Sequence, residues 1–224
     1  MPAGKYSFYL HSDDRTDVAA AATLETVSQP LRGELLRTAA IAGRVLYRID
    51  CRLPGLLTEL FDGQLRAGQF FSLLGAVSGR YLMASTVSTE GLTPLTGYVD
   101  DAGAERRRLT LLLLDDSASV DTAQLLDNLP SRVRGPLLRN LLIAGFALHT
   151  LDSRFPRLLA TLPVPPANVD ELQHLAAQVT GSQIVASTRE PENPAEPEPV
   201  SVPEKETPDS RATAEIRKNM KKVF

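Results

Sequence analysis

Residues 33–60, GELLRTAAIAGRVLYRIDCRLPGLLTEL, align without a gap to residues 135–162, GPLLRNLLIAGFALHTLDSRFPRLLATL. The offset is 102, and fourteen of the 28 positions are identical, among them Gly33, Arg37, Gly43, Asp50, Arg52 and Pro54 with their partners. Upstream, the same offset pairs Asp13, Asp14, Val18, Ala21, Leu24 and Arg32 with Asp115, Asp116, Val120, Ala123, Leu126 and Arg134. Stacked-repeat arrays have periods of roughly 20–50 residues. A period of 102 therefore marks a duplicated small domain.

Each copy reads as a strand followed by helices. Tyr6, Phe8 and Leu10 alternate with Lys5, Ser7, Tyr9 and His11, the period of two of a half-buried strand. Ser12, Asp13 and Asp14 offer a helix cap, and Val18, Ala21, Leu24 and Val27 trace a helical stripe to about Ser28. Pro30 can open a second helix, whose buried face is Leu31, Leu35, Ala39, Ala42, Leu46 and Ile49. Leu53-Pro54 interrupts it, and helices resume over 54–60 and 70–83. The second copy begins with RRRLTLLLL at Arg106, takes its cap at Asp115 and Asp116, and predicts helices over 120–129, 136–151 and 168–179.

A lone strand of about seven residues must pair with another, and each copy supplies one. Gly43 and Gly145 fall mid-helix, where Gly costs about 1 kcal/mol relative to Ala. Repeated at one place in two equivalent helices, they read either as a close helix crossing about a pseudo-two-fold axis or as tolerated helical glycines.

The composition frames this reading. The chain has 224 residues, 43% of them apolar and 5% aromatic, with no Trp and one Cys. That suits compact helical domains. It also leaves no internal disulfide or cysteine-based metal site, as in a reducing cytoplasm. No apolar stretch is long enough to span a membrane, and MPAGKYSFYL has no secretory h-region. The net charge of −3 is uneven: residues 1–189 hold 18 basic and 19 acidic groups, 190–210 hold one and seven, and 211–224 hold five and one. The Pro/Glu-rich segment carries most of the acidity and reads as a disordered tether. In the final peptide, Ile216, Met220, Val223 and Phe224 share one helical face with Arg217, Lys218, Lys221 and Lys222 around it, the pattern of a partner-binding helix. Of the 18 basic residues before the tether, all but Lys5 are Arg. Planar recognition of phosphate and a bias of codon usage explain that equally well.

The strand YSFYLHSDD and the run GELLRTAAIAGRVLYRIDCRLPGLLTEL resemble the ParR/StbB family of plasmid partition adaptors, over residues 5–60 and more weakly over 108–162. Strand, short helix and longer helix form a ribbon-helix-helix arrangement, which places a two-stranded ribbon in the DNA major groove. The resemblance implies a fold that is mainly α. It comprises two tandem ribbon-helix-helix-like units (one short strand plus helices each) with extra C-terminal helices, followed by a disordered tail. The expected organisation is a first repeat with helical extension over 1–84, a linker over 85–105, a second repeat over 106–181, the Pro/Glu linker over 182–210 and the basic peptide over 211–224. The two halves of the ribbon come either from one chain as a pseudo-dimer or from two chains.

It further implies a non-enzymatic, cytoplasmic adaptor without cofactor. Such an adaptor binds double-stranded DNA at plasmid centromere repeats, represses its own operon, self-associates on DNA and couples it to an actin-like ParM/StbA-type ATPase filament. Base contacts are expected from Lys5, Ser7, Tyr9 and His11, because Leu109 and Leu111 to Leu114 put leucine on both faces of the second strand. Phosphate contacts are expected from Arg106, Arg107 and Arg108 and from the second helices at Arg32, Gly33, Arg134 and Gly135. Ile216, Arg217, Met220, Lys221, Val223 and Phe224 would meet the filament. A relaxosome accessory protein and a scaffold without DNA contact are the competing readings. Residues 5–60 carry seven basic and seven acidic groups and 106–162 carry eight and five, so affinity would need several linked copies. Cys51, aligned with Ser153, reads as a small buried side chain. Asp50-x-Arg52 and its twin read as helix-terminating braces. His149, aligned with Tyr47, reads as a packing position, and His174 sits alone on a short helix.

Overall fold

The computed structural model describes residues 3–79 and 105–181. The first copy runs β1 (Gly4–His11), α1 (Arg15–Glu25), a 3-10 turn (Gln29–Leu31), α2 (Arg32–Ile49), α3 (Leu53–Leu60) and α4 (Ala67–Val77). The second runs β2 (Arg106–Leu113), α5 (Ser117–Asp127), α6 (Ser131–Leu151), α7 (Phe155–Thr161) and α8 (Val169–Thr180). The fold is thus mainly helical, with one short strand at the start of each copy and two extra helices at the end of each, as the sequence predicts. The connector and the tail, including Ile216, Arg217, Met220, Lys221, Val223 and Phe224, lie outside the described residues.

Local chemistry sets the element starts. The Asp14 side chain accepts from the amides of Thr16 and Asp17, and Asp116 accepts from that of Ser119, satisfying amides that a helix start leaves unpaired. Pro54 and Pro156 sit in the first turns of α3 and α7, where a missing N–H costs nothing. Asn168 caps α8, which ends at Gly181 in the left-handed conformation with φ 67°. α4 and α5 begin three residues before the expected 70 and 120, and α6 five before the expected 136. α6 begins at Ser131, because the Pro130 carbonyl accepts from the amides of Val133 and Arg134 at 2.9 and 3.0 Å. Pro136 therefore lies inside the helix, at a cost of one backbone hydrogen bond in its N-terminal turns.

The copies interleave into one unit within a single chain. β1 pairs antiparallel with β2, in register from Gly4 opposite Leu113 to His11 opposite Arg106. α2 crosses α6, α3 packs on α6, α7 on α2, and α4 on α8. The fully buried Phe8, Phe61, Phe70, Phe146 and Phe155 fill the space between, each contributing roughly 1.5–3 kcal/mol by burial. Phe70 of the first copy meets Phe155 of the second edge to face, ring centroids 6.2 Å apart.

The crossing of α2 and α6 depends on glycine. A Cβ placed on Gly43 would sit 2.7 Å from the backbone carbon of Leu141, and one on Gly145 would sit 2.6 Å from that of Ala39. Leu141 is the counterpart of Ala39 at the offset of 102, so the two contacts are images of each other about a pseudo-two-fold axis. The repeated glycines are there because the backbones touch.

Candidate nucleic-acid interface

Pairing of β1 with β2 creates two faces, since successive side chains point to opposite sides of a strand. Tyr6, Phe8, Leu10, Leu111 and Leu113 face inward and are buried. The Tyr6 hydroxyl donates to the Ala123 carbonyl at 3.3 Å. Burial, reinforced by Asp127 nearby, pushes its pKa up to about 12. The outer face holds Lys5, Ser7, Tyr9 and His11 from β1, opposite Leu112, Thr110, Arg108 and Arg106 from β2. It therefore carries three permanent cations, a histidine and three hydroxyls, and no carboxylate.

Contacts across the face order it. Arg108 Nη2 donates to Ser7 Oγ at 2.9 Å, and the Arg106 guanidinium lies 5.6 Å from the Tyr9 ring centroid, within cation–π range. Arg107 takes no part. It occupies the other face, opposite Leu10, and pairs with Glu25 of α1 at 2.7 Å. The three arginines expected to act together are thus split, two outward and one into an ion pair.

The strand phase is also unexpected. Leu10 lies four residues before the cap Asp14, but Leu113 lies only three before Asp116, so the second copy is one residue shorter between strand and helix. Because a one-residue slip turns every side chain to the other face, equivalent strand positions are 103 apart rather than 102. Inward Tyr6, Phe8 and Leu10 then match Leu109, Leu111 and Leu113, and outward Lys5, Ser7 and Tyr9 match Arg108, Thr110 and Leu112. A separation of 101 would instead equate buried Tyr6 with exposed Arg107. The leucine run of β2 hides this alternation. The signal that reveals it is R-x-R-x-T from Arg106 to Thr110, and it adds Arg106, Arg108 and Thr110 to the outer face.

Each edge of the ribbon is flanked by a helix from the other copy. α6 packs against β1 and α2 against β2. A groove of about 530 Å³ between β1 and the start of α6 brings Lys5, Ser7, Tyr9 and His11 together with Arg134 and Gly135. Arg32 and Arg134 spend part of their donor set internally. Arg32 Nε donates to the Val27 carbonyl and Arg134 Nη2 to the Leu129 carbonyl, both at 3.1 Å, each tying the start of a second helix to the preceding loop. Gly33 and Gly135 differ from the crossing glycines, because a Cβ on either would meet nothing within 4 Å. Internal packing does not require them.

The end of β1 is locked in place. The fully buried Asp17 carboxylate accepts from the His11 amide at 2.9 Å and from Arg139 Nε at 2.6 Å, while Arg139 Nη2 reaches Asp14 at 2.6 Å. Burial holds the Asp17 carboxyl above the ordinary carboxylate range, against the pull of the His11 amide and Arg139.

The other reactive residue types are dispersed. Cys51 is exposed rather than buried, because it sits in the turn between α2 and α3 and not on a packed face. Asp50 accepts from the Arg52 amide at 2.8 Å and pairs with its guanidinium at 2.7 Å, and Asp152 with Arg154 does the same at 2.8 Å. These pairs brace the ends of α2 and α6. Half-burial pushes the His149 imidazole below its ordinary value, and His174 is exposed on α8. Among the described residues no group of His, Cys, Asp and Glu could hold a metal ion, and no helix is long and apolar enough to cross a membrane.

Comparison with known proteins gives one result. No curated protein and no solved structure matches the chain. The family model described as plasmid stability protein matches residues 4–74 and again residues 107–176. The two matches coincide with the two copies and together span more than half of the chain, which therefore belongs to the plasmid stability protein family as a tandem duplicate.

Proposed function

We propose that this chain is the non-enzymatic DNA-binding adaptor of a cytoplasmic plasmid partition system. Its ribbon would bind centromere repeats and its own promoter, and its C-terminal peptide, residues 211–224, would hold an actin-like ATPase filament. The observation that carries this reading is the outer face of the ribbon, with Lys5, Arg106, Arg108, His11 and three hydroxyls and no acid. That chemistry complements the phosphates and base-edge acceptors of the major groove. A two-stranded ribbon also has the width to enter that groove.

The flanking helices support it. Gly33 leaves the start of α2 bare where internal packing makes no demand, whereas Gly135 lies one turn inside α6, which begins at Ser131. Close approach of a ligand to backbone is one reason for such a glycine, and amides at a helix start suit a phosphate. Three cations on the face imply a salt slope of about −3 per bound unit. Useful affinity then comes from several units on adjacent repeats.

Gel-shift titration on the plasmid's own repeat array tests the reading. Cooperative, salt-sensitive binding is expected, and substitution of Ser7, Tyr9 and His11 by Ala should abolish it. Equal binding to unrelated DNA, or unchanged affinity of the triple variant, would overturn it. Deleting residues 211–224 should spare DNA binding while releasing the filament.

A further inference from the structure

Resting on the DNA-binding reading above, we propose that the ribbon recognises a directional duplex site, with two unlike half-sites, and sits on it in one orientation. The observation behind this is the strand phase. The pseudo-two-fold axis passes through the pair Ser7 and Thr110, and the remaining pairs of the outer face lie on either side of it. Two identical strands would present the same pair of side chains at both ends. Here one end carries Tyr9 and Arg108, followed by His11 and Arg106, and the other carries Lys5 opposite Leu112.

These ends suit different bases. At the first, two guanidiniums and a phenol offer donors to the N7 and O6 acceptors of guanine, the preferred partners of Arg. At the second, Leu112 is 47% exposed in a face that is otherwise polar. An apolar side chain there matches the thymine methyl, which only an A·T pair presents in the major groove, while Lys5 beside it supplies one donor. The face is therefore guanine-seeking at one end and thymine-seeking at the other. The helix crossing does not impose this difference, because it follows the two-fold symmetry at the Gly43 and Gly145 contacts. Nor is it averaged by dimerisation, since one chain supplies both strands. An array of such sites in direct repeat would give the bound protein a common direction along the DNA.

The test uses the full-length chain and duplex DNA. Selection from a randomised duplex pool is expected to return a consensus without two-fold symmetry. Two palindromic duplexes, each built by inverting and repeating one half of that consensus, should bind about tenfold more weakly than the natural pairing of halves, given the usual effect of mismatched base pairs. Orientation can be read with an iron chelate attached at the exposed position 29 before α2, through Gln29→Cys in a Cys51→Ser background, which should cleave the duplex on one side of the site. Exchanging the ends, by Lys5→Arg, Tyr9→Leu, Arg108→Lys and Leu112→Tyr together with His11→Leu and Arg106→Ala, should move the cleavage to the other side. A palindromic consensus, equal affinity for all three duplexes, or cleavage on both sides by the unexchanged protein would overturn the directional reading while leaving DNA binding intact. Selection that returns no bound duplex would overturn both. Wild-type selection and the half-site duplexes decide the matter even if the exchanged variant does not fold.

Discussion

The helix crossing and the ribbon descend from one duplication but have kept different degrees of it. At the crossing of α2 and α6, the copies correspond residue for residue, with Gly43 against Leu141 and Gly145 against Ala39 at a constant offset of 102. In the ribbon they have slipped to 103, so Leu112 faces outward where its counterpart by simple offset, Leu10, is buried. Backbone contact tolerates no added atom, so the crossing has stayed symmetric. The ribbon needs only an apolar inner row, which Leu109, Leu111 and Leu113 provide whatever stands between them. Its outer row was free to diverge.

The largest expected effect breaks the symmetric region. Gly145→Val or Gly43→Val forces side-chain atoms into the backbone of the facing helix and should destabilise the protein by about 3 kcal/mol, at the upper end for overpacking. Combining the two should abolish cooperative urea unfolding. Next comes the phase of β2. Leu111→Ala removes a fully buried side chain and should cost about 3 kcal/mol, whereas Leu112→Ala should change stability by less than about 0.5 kcal/mol. The reverse order would mean that the strand follows the offset of 102 after all. Smaller still, Gly33→Ala or Gly135→Ala places a Cβ in open space and should stabilise by about 0.5–1 kcal/mol, the opposite sign to the crossing glycines.

The smallest effect is a pH dependence. Their hydrogen bonds with Arg52 and Arg154 hold the Asp50 and Asp152 carboxyls below the ordinary value of 3.8. Their stabilisation is complete above 3.8 and is lost as pH falls through the lowered values of the folded state. Asp50→Asn with Asp152→Asn should therefore lower Tm at neutral pH by a few degrees at most. That gap should close in acid, and a gap that widened there would show the braces to be misread.

The duplication, the need for each strand to pair and the cap regions at 12–14 and 115–116 were legible in the sequence, while the close crossing at Gly43 and Gly145 was one of two readings and the structure selects it. Each rests on a local rule that a repeat states twice. The start of α6 was not, because Pro130 and Pro136 are both competent to open a helix and only the loop geometry chooses the first. Cys51 was misplaced because alignment with a small Ser153 says nothing of exposure in a turn. The outer face was half legible. Alternation is plain in β1, but in β2 consecutive arginines and leucines mask the phase, for which R-x-R-x-T is the one sequence signal, and the pairing shows that Arg108 faces out and Arg107 does not.

Those two arginines give the most direct test of DNA reading through the outer face. They are adjacent in sequence and identical in chemistry, yet one lies among the hydroxyls of the ribbon and the other is paired with Glu25. Binding of each single alanine variant to a duplex carrying the plasmid's repeats should be measured by fluorescence anisotropy, with thermal unfolding confirming the fold. Arg108→Ala is predicted to weaken binding about tenfold or more, as loss of a base-reading arginine does, and Arg107→Ala less than about twofold. Equal losses, or undiminished binding by Arg108→Ala, would contradict the account.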